Sequence, residues 1–127
     1  MINYNLFLDD YRNPIDCIVY TGNPIYVNLD WQVVRSYDEF VKYITENGIP
    51  EVASFDHDLS IEDYNHQSNI DYSVLEKTGF HCAKWLINYC IDNQKEVPEK
   101  IFIHSMNPAG SANIKSLFDT YNKYHRI

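Results

Sequence analysis

Basic residues are scarce in this chain of 127 residues, which has 10 Lys and Arg against 18 Asp and Glu and a formal net charge of −8 at pH 7. Lys and Arg are nowhere concentrated, so the general attraction to a polyanion is lacking. We therefore expect no non-specific binding to nucleic acid.

Long apolar runs are also missing. The first ten residues contain neither a cationic stretch nor an apolar run long enough for a signal peptide, and no segment approaches the length that spans a membrane. The sequence therefore predicts a cytoplasmic protein without a membrane partner.

Cysteine is rare and follows no recognisable pattern. Cys17, Cys82 and Cys90 are odd in number and lack metal-ligand spacing. Cys82 and Cys90 lie in an apolar stretch of helical period, where cysteine behaves as a small core residue. The sequence predicts neither a disulfide nor a zinc site.

The remaining composition is that of an ordinary globular protein, with 45% apolar and 22% charged residues. The length is close to that of one typical domain and suffices to bury a core. We expect a single domain over residues 1–127, with no internal repeat.

Short apolar runs alternate with helical patterns along the chain. Four runs predict buried strands, at 5–8, 31–34, 52–55 and 100–104. Helices are predicted after the Ser36 and Glu39 capping box, over the periodic apolar residues of 80–91, and after Asn107 and Pro108. This alternation predicts an α/β fold with a mostly parallel sheet of four strands, covered on both faces.

Two segments show no clear pattern. Residues 11–30 contain Pro14, Gly22 and Pro24, and short edge strands at 17–20 or 25–29 are the structures we expect there. Residues 59–77 are polar and aperiodic, which is typical of a lid, a binding loop or a disordered connection.

Acidic residues follow two of the predicted strands, Asp9 and Asp10 after the first and Asp56 and Asp58 after the third. Ligands of open α/β sheets bind at the carboxyl ends of strands, and converging carboxylates there raise one another's pKa unless a cation neutralises them. Oxygen ligands without a full protein cage suit Mg²⁺ or Mn²⁺. The alternative is that these residues only form turns, and Asp58 also suits a cap of the following turn.

The segment HSMNPAG at 104–110 joins the fourth strand to a helix amino terminus, which favours an anion. It makes Ser105, Asn107 and Gly110 candidates for phosphate binding, with helix capping by Asn107 as the alternative. Thr78 and the glycine that follows it form a similar but shorter helix start. Phosphate binding is a candidate role for Thr78, but helix capping alone is the favoured role.

Two histidines and two arginines stand near these motifs. His57 and His104 follow strands and are candidates for general acid or base, although a structural hydrogen bond explains either. Arg12 and Arg35 are candidates to clamp phosphate oxygens, with a surface ion pair as the alternative.

The run LFLDD at 6–10, with Asp56 after the third strand and Ser105 after the fourth, resembles the receiver domains of two-component response regulators. The resemblance implies a flavodoxin-like three-layer sandwich in which Asp9, Asp10 and Asp56 bind Mg²⁺. It further implies that Asp56 accepts a phosphoryl group and that Ser105 contacts it. The lysine that receiver domains carry after a fifth strand has no counterpart, because the predicted elements lack that strand.

A larger set of motifs spans most of the chain, namely LDDxRxP at 8–14, SFDHDL at 54–59, TG at 78–79 and HSxNPxG at 104–110. Together they are similar to the cyclic-phosphate-processing receiver-like family of small bacterial and phage proteins. This resemblance implies a metal-dependent phosphoesterase that acts on a cyclic phosphate of a nucleotide or ADP-ribose derivative. The expected partner is therefore a phosphorylated small molecule or a nucleotide end.

Three functional hypotheses follow. In the leading one, a metal on the aspartates polarises the phosphate and positions water, His57 or His104 transfers protons, and Asp56 is either ligand or nucleophile. The second is a non-catalytic receiver-like binding module, and the third is a Toprim-like nuclease that uses Asp56 and Asp58 for two metals. The substrate and the oligomeric state stay open.

Overall fold

The fold is built on a four-stranded parallel sheet, seen in a computed structural model that describes residues 3–59 and 77–125. The strands are β1 (Asn5–Leu8), β2 (Trp31–Val34), β3 (Val52–Phe55) and β4 (Lys100–Ile103), in the order β2-β1-β3-β4. All three strand pairs are parallel. The predicted receiver-like α/β fold is confirmed, and the described residues contain no fifth strand.

The described residues contain five α-helices: α1 (Ile18–Thr21), α2 (Ile25–Asn28), α3 (Tyr37–Asn47), α4 (Gly79–Asp92) and α5 (Pro108–His125). The predicted helix starts are confirmed. The Ser36 hydroxyl accepts the N–H of Glu39 at 3.1 Å, and the side-chain oxygen of Asn107 accepts the N–H of Gly110 at 2.9 Å. Each bond satisfies a backbone donor that the helix leaves unpaired. None of the described helices is long and apolar enough to cross a membrane.

The predicted edge strands at 17–20 and 25–29 are wrong, because this segment forms a 3-10 turn (Pro14–Cys17) followed by α1 and α2. Local side-chain bonds favour these turns over extended backbone. The Thr21 hydroxyl donates to the carbonyl of Cys17 at 2.6 Å, and the side-chain oxygen of Asn23 accepts the N–H of Ile25 at 3.1 Å.

The two faces of the sheet are covered differently. On one face, Leu6, Leu8 and Phe55 are buried in a core shared with the three long helices α3, α4 and α5. On the other face, Phe7 packs with Cys17 and Tyr26 from the short helical segment. The result is a three-layer sandwich in which residues 14–28 form one outer layer. The predicted loop at 59–77 lies outside the described residues except for its two end residues.

The sheet order places a topological switch between β1 and β3, since the chain moves from β1 to β2 on one side and returns to β3 on the other. Backbone bonds continue the ladder past the strand ends. The N–H of Asp56 donates to the carbonyl of Leu8 at 3.0 Å, and the N–H of His104 donates to that of Phe55 at 3.0 Å. Asp9, Asp56 and His104 therefore leave the sheet side by side, where ligands of such folds bind.

Candidate metal and phosphate site

Three carboxylates converge beyond the carboxyl ends of β1 and β3. Asp9, Asp10 and Asp56 each offer one oxygen, and these three oxygens lie within 4.8 Å of one another. Asp9 and Asp56 are only 0% and 4% exposed. The structure thus brings together the three residues that the sequence predicts to share a metal, and we call them the acidic cluster.

Asp9 is the most strongly held member of the acidic cluster. Its Oδ1 accepts the N–H groups of Tyr11 at 3.0 Å and Arg12 at 2.9 Å, and its Oδ2 lies 3.1 Å from Nε2 of His104. Burial alone would raise the pKa of Asp9, but the bonds from His104 and from the two backbone N–H groups lower it to about 2. Asp9 is therefore an ionised carboxylate whose orientation is fixed.

Asp10 and Asp56 have fewer partners. Oδ1 of Asp10 is buried and finds no hydrogen-bond partner among the described residues, and Oδ1 of Asp56 accepts the N–H of His57 at 2.9 Å. Burial, followed by the charge of Asp9, raises the pKa of Asp10. The same two causes raise the pKa of Asp56 to about 6.

These features test whether the cluster fits a cation. A buried oxygen without a donor is rare in proteins and needs an explanation. An all-oxygen set that is too small to enclose an ion suits Mg²⁺ or Mn²⁺, which keep waters and take phosphate oxygens. The donor chemistry and the unpaired oxygen of Asp10 both fit such an ion.

The cluster opens into a cleft of about 440 Å³. The guanidinium of Arg12 lies within this cleft, 3.4 Å from Oδ2 of Asp9 and 3.3 Å from the sulfur of Met106. Ser105 and Asn107 also line it, and the Ser105 hydroxyl accepts the N–H of Asn107 at 3.1 Å. The positively charged guanidinium of Arg12 and the polar side chains of the cleft thus lie beside the carboxylates, at positions where they can contact a phosphate.

Asp58 lines the same cleft, but its carboxylate is not one of the three that converge. One of its oxygens lies 2.8 Å from Nδ1 of His57, and both oxygens lie 3.3 Å from the amide nitrogen of Asn107. The bond to His57 lowers the pKa of Asp58. The proposed fourth metal ligand instead links β3 to the start of α5.

His104 lies beneath the acidic cluster and does not face the cleft, because its side chain is fully buried. Its ring stacks on Phe7 with centroids 4.3 Å apart, and its Nδ1 lies 2.7 Å from the hydroxyl of Ser54. Burial lowers the pKa of His104. This placement gives His104 contact with Asp9 rather than with a substrate.

His57 lines a second cleft of about 610 Å³, which adjoins the first at Asp58 and Leu59. Its imidazole packs so closely on α5 that a Cβ at Gly110 would lie 2.3 Å from the ring. The N–H of Gly110 is already bound to Asn107. Gly110 thus permits close packing, and its N–H is not directed at a phosphate.

The two remaining candidates have local partners. The N–H of Thr78 donates to Nδ1 of His81 at 3.0 Å, which favours the capping role at the start of α4. The guanidinium of Arg35 donates to the backbone carbonyls of Asp9 at 3.3 Å and of Arg12 at 2.5 Å. Arg35 therefore holds the loop after β1, rather than a phosphate.

The sequence analysis assigned no role to Ser54, Tyr26 or Tyr20, which surround His104. Ser54 carried a weak signal, as a polar residue inside an apolar strand that is buried throughout. Tyr20 and Tyr26 lie within residues 11–30, which show no periodic pattern, and nothing in the sequence pointed to their contact with His104.

Comparison with known proteins gives one finding. The family model described as cyclic-phosphate processing receiver domain matches residues 4–120, which confirms the resemblance seen in the motifs. No curated protein and no solved structure gives a significant match.

Proposed function

Because the chain belongs to the family of cyclic-phosphate processing receiver domains, we propose that it is a metal-dependent phosphoesterase that opens a cyclic phosphate of a nucleotide or ADP-ribose derivative. The observation that carries this proposal is the buried, unpaired oxygen of Asp10 beside two further carboxylates. The substrate partner is then a phosphorylated small molecule or a nucleotide end, and the cofactor is Mg²⁺ or Mn²⁺.

Asp9, Asp10 and Asp56 are the residues that would hold the ion. When bound, a divalent cation would neutralise these carboxylates and polarise the phosphate. Asp9 contributes a charge already fixed by hydrogen bonds. Asp56 is assigned to metal binding because one of its oxygens belongs to the convergent set.

Arg12 and Ser105 are assigned to the phosphate, since they line the cleft beside the acidic cluster. The planar guanidinium of Arg12 can donate two parallel bonds to phosphate oxygens. The hydroxyl of Ser105 supplies an uncharged donor, which orients an anion without cancelling the charge of the cluster. Asn107 also lines the cleft, but its amide nitrogen is directed at the two oxygens of Asp58.

Hydrolysis forms one bond from a water oxygen to phosphorus and breaks one bond from phosphorus to a ring oxygen, which must take up a proton. We assign this proton transfer to His57, because its bond to Asp58 orients the ring as in other acid–base pairs. His57 lies on the adjoining cleft, so the substrate extends across Asp58 from one cleft to the other.

One observation favours the non-catalytic binding module as the second candidate. His104, the other imidazole considered for proton transfer, is buried beneath Asp9 and has no access to the cleft. A module that binds a phosphorylated molecule needs the cluster, Arg12 and Ser105 but no proton carrier.

The test is incubation of the protein with Mn²⁺ and a panel of cyclic phosphates, followed by ³¹P NMR. We expect a ring-opened monoester from the wild type and from Asp92→Asn, an exposed acidic control on α4, but none from Asp10→Asn. If a cyclic phosphate binds the wild type and is never opened, the binding module replaces the enzyme. Cleavage of a polynucleotide would instead favour the nuclease.

A further inference from the structure

A continuous chain of hydrogen bonds runs from the short helical layer to the acidic cluster. The hydroxyl of Tyr26 lies 2.7 Å from that of Ser54, which lies 2.7 Å from Nδ1 of His104. Nε2 of His104 lies 3.1 Å from Oδ2 of Asp9. All four residues are buried, with exposed fractions between 0% and 4%.

The direction of these hydrogen bonds can be worked out step by step from Asp9. Asp9 accepts two backbone N–H groups and therefore acts as a carboxylate acceptor, so Nε2 of His104 carries the hydrogen that lies between them. A neutral imidazole then has a lone pair on Nδ1, which must accept from the Ser54 hydroxyl. The oxygen of Ser54 in turn accepts from Tyr26, because its own hydrogen is used. Every donor points toward Asp9.

His104 is also restrained from other sides. Its ring lies flat on Phe7, with an interplanar angle of 7°, and the hydroxyl of Tyr20 donates to its backbone carbonyl at 2.7 Å. The imidazole therefore cannot turn without breaking several buried contacts. Since an imidazole held in one tautomer presents its N–H in one direction, Oδ2 of Asp9 meets a donor at a fixed place.

We propose that Ser54 and Tyr26 are positioning residues for the acidic cluster, which act through His104 to hold the carboxylate of Asp9 in the orientation that binds the metal. This inference rests on the proposed metal-binding function. Hydrogen-bonded partners behind metal ligands typically contribute about 10- to 100-fold to metal affinity. The short helical layer thus supports the site, in addition to covering the sheet.

A purely structural role predicts a different result. Loss of a buried hydroxyl bond lowers the stability of the fold wherever it occurs, but only a positioning role lowers the affinity for metal. Tyr4 provides the matched control, because its hydroxyl donates to the carbonyl of Gly48 and it precedes β1, at the end of the strand opposite Asp9.

The experiment measures Mn²⁺ affinity of the folded protein by electron paramagnetic resonance of the free ion. We expect Ser54→Ala to weaken binding by about tenfold, Tyr26→Phe to weaken it less because it is one bond further away, and Tyr4→Phe to leave it unchanged. Thermal unfolding of each variant separates stability from affinity. Tyr26→Phe retains the ring and its packing, so it tests the inference even if Ser54→Ala does not fold.

Two results would overturn the inference. Wild-type affinity in both Ser54→Ala and Tyr26→Phe would leave metal binding intact and remove the positioning role. A ¹⁵N NMR spectrum of the wild type with the His104 hydrogen on Nδ1 would reverse the bond direction. If the folded wild type binds no Mn²⁺ at all, the proposed function itself fails, which is a separate and recognisable outcome.

Discussion

The imidazole of His57 lies against the backbone of Gly110, so close that a Cβ added there would lie 2.3 Å from the ring. The two residues come from the end of β3 and the first turn of α5. Their contact fixes His57 on the wall of the second cleft, where the bond between its Nδ1 and Asp58 also restrains the ring. Space at position 110 therefore controls the position of the proposed proton carrier.

We expect Gly110→Ala to displace His57 and to lower the free energy of unfolding by about 1–3 kcal/mol, as overpacking of a close contact does. Turnover of a cyclic phosphate should fall as well. Urea unfolding and the monoester assay measure the two effects. Ala109→Ser, an addition of similar size at an exposed position of the same turn, is the control. A Gly110→Ala protein with wild-type stability and turnover would contradict the contact.

Metal binding should stabilise the native protein by mass action. At a free Mn²⁺ concentration about 100 times the dissociation constant, the gain is about 2.7 kcal/mol, or roughly 10 °C in Tm. Asp56→Asn should show almost no shift, because it removes one of the three convergent carboxylates. Asp92→Asn should shift like the wild type. Equal shifts in the wild type and Asp56→Asn would count against the site.

The stability of the metal-free protein should depend on the ionisation of Asp56. Burial, with the charge of Asp9, raises its pKa to about 6, whereas the unfolded chain has a carboxyl pKa near the ordinary ~3.9. Between these values the folded state binds more protons, so the free energy of unfolding falls as pH rises from about 4 to about 6.

Asp56→Asn should therefore remove this decrease in the free energy of unfolding. In EDTA at about pH 7.5, we expect the variant to be more stable than the wild type by about 2 kcal/mol. Urea unfolding of both proteins across that pH range provides the measurement. The physical reason is that the asparagine removes a buried charge from beside Asp9. A variant less stable than the wild type at neutral pH would show that the charge of Asp56 is well compensated in the metal-free fold.

The role of Asp58 can be separated from metal binding. If it orients His57, Asp58→Ala should lower kcat by up to the ~10²- to 10⁴-fold that a general acid–base group typically contributes and leave Mn²⁺ affinity almost unchanged. If Asp58 were a fourth ligand, the affinity would fall together with kcat. Comparison of single-turnover rates with the Mn²⁺ titration decides between these two roles.

Much of the fold could be predicted because its signals are local. Each strand is a four-residue run in which three residues are apolar, and the helices after Ser36 and Asn107 begin at side chains that bond the backbone within the same turn. The convergence of Asp9, Asp10 and Asp56 also followed from the sequence, since the carboxyl ends of neighbouring parallel strands must lie at one edge of the sheet.

The surroundings of each side chain depended on residues far away in the chain. Nothing local distinguishes a strand-end histidine that faces solvent from one that turns inward, and His104 turns inward because Phe7, Ser54 and Asp9 form a buried pocket for its ring. The helical form of 14–28, and the contact of Tyr26 with Ser54, likewise depend on packing against the sheet. The sequence by itself determined which residues follow the strands at the edge of the sheet, because the apolar pattern of each strand is a local property. Only the tertiary structure decided which of them face the cleft, because burial depends on neighbours that are distant in sequence.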